Sequence, residues 1–261
     1  MKKLHFEYTM QLQFSSAVLR HSFALRCVPQ SSPCQSIGSL TCRFNPVTSI
    51  ALSQDAFDNM VYTGYIAGWH KDFSFHIEGV AVTNSEYFNM EPLNLLYKYA
   101  SPLAFLPQPA AAYFKNFHTP TGDNLQKALY LMDLLEANFT YKTGSTNNNT
   151  TALDALTQGC GVCQDYAHIL IALCREQGIP ARYVAGFMIG EGVTHAWVEI
   201  YAAGKWLGLD PTNNRIVDDL YIKLSTGRDF GDCIIDRGVF IGNATQKQSV
   251  AVKVSEEPPP L

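Results

Sequence analysis

The chain has 261 residues, 47% of them hydrophobic and 16% charged, with a formal net charge of −4. That composition excludes a disordered chain. An acidic balance without a long basic run disfavours a nucleic-acid partner and attraction to an anionic membrane surface. The length is generous for one core and suits two modest domains of about 150 residues each.

Residues 4–14 alternate apolar with polar, so they lack the uninterrupted apolar stretch of a secretory signal. No segment approaches the roughly 18 consecutive apolar residues of a membrane helix. A cytoplasmic location without membrane association is therefore expected. Residues 1–115 read as a β-rich N-terminal domain, a sandwich or barrel. Period-two alternation marks 4–14, part of 22–28 and 74–82, the last once Lys71 and Asp72 are taken as a turn. Pro102, Pro107 and Pro109 mark an irregular connector.

Residues 116–254 form the second expected domain, and 255–261 a frayed, disordered tail. From 123 the period changes to helical, with Leu125, Leu129, Met132, Leu135 and Phe139 on one face and Thr121 or Asp123 as cap. A polar loop over 142–150 precedes a short helix capped around Thr150, Thr151 and Asp154 that stops near Gly159. A central helix begins at Val162 or Cys163 and ends at Gly178, with Pro180 just beyond. Strands follow over 182–189, 194–201 and 206–210, the last two as a hairpin turning at Ala203-Gly204. Further strands are expected over 238–241 and 249–254. Loops at 142–150, 189–194 and 213–220 are where specificity would reside.

Cysteine accounts for seven residues, an odd number that argues against a disulfide framework. Cys160 and Cys163 make a CxxC, but no second Cys/His pair has zinc-site spacing, so redox and metal readings are disfavoured and neither a metal nor a cofactor is expected. Asn-x-Thr sequons at Asn138, Asn148, Asn149 and Asn243 matter only to an exported eukaryotic chain. Cys163 stands where a helix N-terminus favours a thiolate, behind Gly159 and Gly161, which permit close approach. The hairpin register sets Trp197 opposite Asp210 and His195 opposite position 212. Asp210 is then the diagonal neighbour of His195 on one face, while Ala196, Val198 and Ile200 face the core. A carboxylate there can hold one imidazole nitrogen and leave the other aimed at sulfur. Taken singly, each signal is weak: a helical cysteine such as Cys174 usually packs, a strand histidine is usually structural, and Asp-Pro usually opens a turn. Their joint order is what points to a thiol nucleophile. Trp69, Trp197 and Trp206 could line a cleft, although core packing is the default for each.

The text Gly-Val-Cys-Gln-Asp-Tyr-Ala-His at 161–168, Ala-Leu-Cys-Arg-Glu-Gln-Gly-Ile-Pro-Ala-Arg-Tyr-Val-Ala-Gly at 172–186, His-Ala-Trp-Val-Glu at 195–199 and Gly-Leu-Asp-Pro-Thr-Asn-Asn at 208–214 resembles the transglutaminase-like superfamily of papain-type thiol enzymes. More narrowly it resembles the bacterial transglutaminase-like cysteine proteases, with further matches at 227–230 and 237–240. The resemblance covers 125–242 and implies an α+β, papain-like core with the cysteine helix packed on an antiparallel sheet, behind an N-terminal all-β domain. It implies Cys163 as nucleophile, His195 as general base and then acid, and Asp210 as the orienting carboxylate. It also implies a thioester acyl-enzyme resolved by water or by a lysine amine. Animal transglutaminases place a tryptophan before the cysteine to hold the oxyanion; this chain has none there, and Tyr141 or Gln158 could donate instead with the Cys163 N–H. No acidic cluster of calcium-site type is visible. The expected function is hydrolysis of a peptide, isopeptide or related amide in a peptide or protein substrate. Acyl transfer from glutamine to a primary amine, or a non-catalytic binding scaffold, are the alternatives.

Overall fold

The computed structural model describes residues 1–85 and 91–257, and two antiparallel sheets hold nearly all of its strands. In β1 (Lys2–Leu25), Leu4, Phe6, Tyr8, Met10, Leu12 and Phe14 are buried and the residues between them are not. β2 (Gln35–Asn45), β3 (Ile50–Gln54), β4 (Met60–Ile66) and β5 (His70–Thr83) follow. The two runs at 4–14 and 22–28 belong largely to one strand. Its register shifts between Gln13 and Val18, so its first half pairs β5 and its second half pairs β4. Lys71 and Asp72, read as a turn, lie inside β5, where Asp72 sits opposite Gln13. β2 to β4 carry little sequence signal because most of β2 and β3 is exposed and alternation there is slight.

The second region opens with α1 (Asn124–Asn138). Asp123 caps it: its Oδ1 accepts the Gln126 N–H at 2.9 Å while Gln126 Oε1 accepts the Asp123 N–H at 3.0 Å. β6 (Thr140–Tyr141), α2 (Ala152–Gln158) and β7 (Cys160–Gly161) lead to α3 (Cys163–Glu176). Thr151 caps α2, and Gly159 closes it at φ 75°, a left-handed conformation that glycine adopts without strain. α3 is buried on every side from Asp165 to Arg175, against α1, α2 and the second sheet. Buried Arg175 is tolerated because its guanidinium donates to the Tyr97, Ala181 and Arg228 carbonyls and to Ser101 Oγ.

β8 (Ala181–Met188), β9 (Gly190–Gly192), β10 (His195–Ala202), β11 (Lys205–Asp210), β12 (Arg215–Ile216) and β13 (Tyr221–Gly227) come next, and all but β9 form the second sheet, in the order β12-β11-β10-β8-β13. The β10–β11 pairing has Ala202 opposite Lys205 and Val198 opposite Leu209, with Ala203 and Gly204 both at positive φ in the turn. Ala196, Val198 and Ile200 pack in the core shared with α3. Phe187 of β8 and Ile222 and Leu224 of β13 belong instead to the core of the first sheet.

β14 (Asp236–Ile241) and β15 (Gln246–Glu256) then return to β1, on its second and first halves respectively. This corrects the division at 254: the last strand belongs to the N-terminal sheet because Val252 and Val254 complete its core. It also corrects the frayed tail, since Ser255 and Glu256 pair with His5 and Leu4, and the Glu257 N–H donates to the Lys3 carbonyl at 2.9 Å. Residues 258–261 of the expected tail lie outside the described residues. Among the described residues no helix is long and apolar enough to cross a membrane.

Candidate active site

Cys163 is the first residue of α3, behind the extended cap residue Val162. Asp165, two positions on, reaches back: its Oδ2 accepts the Val162 N–H at 2.7 Å and the Thr146 hydroxyl at 2.6 Å. One carboxylate thus fixes the entry of the chain into α3 and ties the 142–150 loop to it. A Cβ at Gly161 would meet that carboxylate, which is why this position needs glycine. The Cys163 main-chain N–H has no partner among the described residues and is one of the helix's unpaired first-turn donors.

His195 is the first residue of β10, opposite Gly186 on β8. Its Nε2 donates to Asp210 Oδ2 at 2.8 Å, which leaves Nδ1 uncommitted, and the Cys163 thiol is near enough to act on the imidazole. Burial works against an imidazolium here, but the hydrogen bonds and charges of Asp210 and Cys163 outweigh it and push His195 up to about 10. A thiol beside a held imidazolium and at a helix N-terminus has both devices that favour the nucleophilic anion.

Asp210 ends β11, fully buried. Besides His195 it accepts the N–H groups of Thr212 at 3.0 Å and Asn213 at 3.3 Å, the Asn213 side-chain amide at 2.7 Å and the Tyr221 hydroxyl at 2.7 Å. Burial alone would raise its carboxyl; His195, Asn213 and Tyr221 hold it below the usual carboxylate range. Burial and the Asp210 charge push Tyr221 upward, so its phenol stays a donor. Trp197, 1% exposed, lies beneath the imidazole with ring centroids 6.4 Å apart, and a Cβ at Gly186 would strike its ring.

The structure therefore brings Cys163, His195 and Asp210 together. Sequence reasoning missed Asn213 and Tyr221. Asn213 stands three residues beyond Asp210, and a short-range side-chain-to-backbone pattern could have exposed it; Tyr221 arrives from another strand and left no local trace. Cys160 takes no part in a redox pair. Extended backbone through Cys160, Gly161 and Val162 sets it roughly 10 Å from Cys163 along the chain, beyond the reach of a disulfide. His168, fully buried in α3, accepts the Phe230 N–H at 3.1 Å, and burial lowers it to about 4, so it is a neutral structural staple. Two cleft tryptophans are core residues: Trp197, as above, and Trp206, which takes the Arg182 guanidinium over its ring at 4.2 Å; Trp69 is 68% exposed. The 189–194 loop is in part a strand, β9, paired with β15.

An uncharacterized protein of Mycobacterium leprae (strain TN) is 36% identical over 125 residues, 44% of each chain. An uncharacterized protein of Mycobacterium tuberculosis (strain H37Rv) is 38% identical over 130 residues, covering 44% of this chain and 41% of its own, so the match spans under half the length of these relatives. The solved "Putative Cysteine Protease" from Cytophaga hutchinsonii, 23% identical, superposes over 100% of this chain and 92% of its own with a TM-score of 0.81, which establishes the common fold. Residues 4–82 match the bacterial transglutaminase-like N-terminal region and residues 111–211 the transglutaminase-like superfamily core, and the chain is a member of that superfamily.

Proposed function

We propose that the chain is a thiol hydrolase that cleaves a peptide, isopeptide or related amide bond in a peptide or protein substrate through a thioester on Cys163. The observation that carries the reading is the His195–Asp210 hydrogen bond of 2.8 Å beside a helix-opening Cys163 whose thiol is near enough to act on the imidazole. His195 takes the thiol proton and Asp210 holds the resulting imidazolium. The thiolate attacks the carbonyl, and the leaving amine departs with the proton from His195. Water, deprotonated by the same imidazole, then releases the acid.

Iodoacetamide followed by mass spectrometry of the folded protein tests the nucleophile. Selective alkylation of Cys163, lost on unfolding with the other thiols then reacting alike, is expected; a Cys163 no more reactive than buried Cys174 sinks the reading. Incubating glutamine-bearing peptides with a fluorescent primary amine tests the fate of the thioester, and hydrolysis predicts free acid in excess of amine adduct. We also assign the enzyme to the cytoplasm, since all seven cysteines are unpaired thiols, as a reducing compartment would keep them. Recovery in the periplasmic fraction of the native host would refute that assignment.

A further inference from the structure

We propose that Tyr141 is the side-chain donor that holds the oxyanion formed when a carbonyl is attacked by Cys163, an inference that rests on the hydrolase reading above. The placement comes from a two-stranded parallel ladder. β6 and β7 pair Thr140 with Cys160 and Tyr141 with Gly161, and the Lys142 N–H donates to the Gly161 carbonyl at 2.8 Å. Tyr141 is thereby pinned one strand spacing, about 4.8 Å, from the glycine two residues before the nucleophile. Its ring lies 6.5 Å from that of Tyr166 on α3, is half exposed, and its hydroxyl has no partner among the described residues.

The other polar groups nearby are committed. The Gln158 amide donates to the Ser145 carbonyl at 3.0 Å and to Cys160 Sγ at 3.5 Å. The Tyr166 hydroxyl donates to the Phe139 carbonyl at 2.9 Å. Tyr183 is buried. Tyr141 is the phenol that combines an open hydroxyl, access to solvent and Cys163 as a charge neighbour; burial and that neighbour both raise it, so it keeps its proton.

In the step concerned, the sulfur lone pair forms the C–S bond and the carbonyl π pair moves onto oxygen. That oxygen accepts hydrogen bonds from the Cys163 N–H and the Tyr141 O–H, with no proton transferred. Collapse re-forms C=O and breaks the bond to the leaving group, which takes its proton from His195 when it is an amine. Donors aimed at charge that exists only in the transition state accelerate the step without tightening substrate binding.

The test compares wild type, Cys163→Ala and Tyr141→Phe on two probes: p-nitrophenyl acetate, whose acyl transfer passes through an oxyanion, and iodoacetamide, whose displacement at saturated carbon does not. Tyr141→Phe should lose about 10²–10³-fold in kcat on the ester, with KM within about threefold of wild type, and should be alkylated at Cys163 at the wild-type rate. Ester turnover unchanged in Tyr141→Phe overturns the Tyr141 assignment alone. A parallel fall in alkylation also overturns it, because Tyr141 would then act on the thiol. Wild-type turnover no faster than Cys163→Ala overturns the hydrolase reading itself, and the oxyanion role with it.

Discussion

A carboxylate that accepts five hydrogen bonds cannot turn, and Asp210 passes that fixity to the imidazole. Two effects of Asp210 can therefore be separated. Asp210→Asn keeps the shape but removes the charge that holds the proton on His195. In wild type an NMR titration should find the imidazole still protonated at pH 9, since it is pushed up to about 10; in the variant the midpoint should fall towards the ordinary 6.5. Turnover should drop by about 10²–10⁴-fold, the range expected when a triad's orienting carboxylate is lost. The raised value also sets a direction for stability. Its stabilisation is fully present below pH 6.5, where folded and unfolded His195 are both protonated, and is lost as pH rises through about 10. Urea midpoints should accordingly fall between pH 7 and pH 10.5 more steeply in wild type than in Asp210→Asn. Tyr221→Phe leaves the charge in place and removes one anchor, so it should lower kcat several-fold while shifting the His195 midpoint far less.

Helix α3 and the β10–β11 hairpin were legible because their signals are local. Capping residues, a helical apolar face, Gly178 before Pro180 and a two-residue turn all lie within a few positions of what they determine. The hairpin count from Ala202–Lys205 carried the site with it, since one correct turn fixes which face His195 and Asp210 share. What stayed hidden depends on partners far along the chain. Lys71 and Asp72 look like a turn until β1 is laid beside them, and β15 looks like the end of one domain until Val252 and Val254 reach a core begun at Leu4. Gly186 shows the same limit within the site. As sequence it is an unremarkable glycine in a strand. In the sheet it is the space that Trp197 occupies beneath His195, closed on the other side by the Ile222 carbonyl. Gly186→Ala should cost about 1–3 kcal/mol, the usual range for overpacking, read as a lower urea midpoint. It should also slow turnover, because the displaced indole is what the imidazole rests on. Gly192→Ala, where a Cβ meets nothing within 4 Å, is the control expected to change neither.

At the scale of the molecule, the second sheet is shared between two cores, and the residues that join them lie outside the Cys163–His195–Asp210 site. On one face, Glu199 sits buried between Arg182, whose Nε donates to it at 2.7 Å, and Lys223, whose Nζ lies 2.6 Å away. Burial opposes its charge, but the two cations keep its carboxyl below the ordinary 4.5. Its stabilisation is thus present above that pH and lost as pH falls through the lower folded value. Glu199→Gln would strip Lys223 of its counter-charge and leave buried Arg182 with Glu91 alone, at up to about 3–5 kcal/mol. Beside this network Phe187 reaches from the second sheet into the first sheet's core, with ring centroids 5.1 Å from Tyr8 and 5.9 Å from Phe6. β15 meanwhile holds β9, the strand just ahead of His195. Two regions so connected should unfold together. Trp197 and Trp206, buried in the second sheet, report on one region by fluorescence, while hydrogen exchange of the β1 and β5 amides at rising urea reports on the other. In wild type the two urea transitions should coincide. Phe187→Ala should move both midpoints down by the same amount, about 3–5 kcal/mol for a buried aromatic, because the cavity opens in a core that both sheets share. Midpoints that separate, with the tryptophan signal unmoved, would mean that the N-terminal sheet stabilises only itself and that β9 is a passive contact.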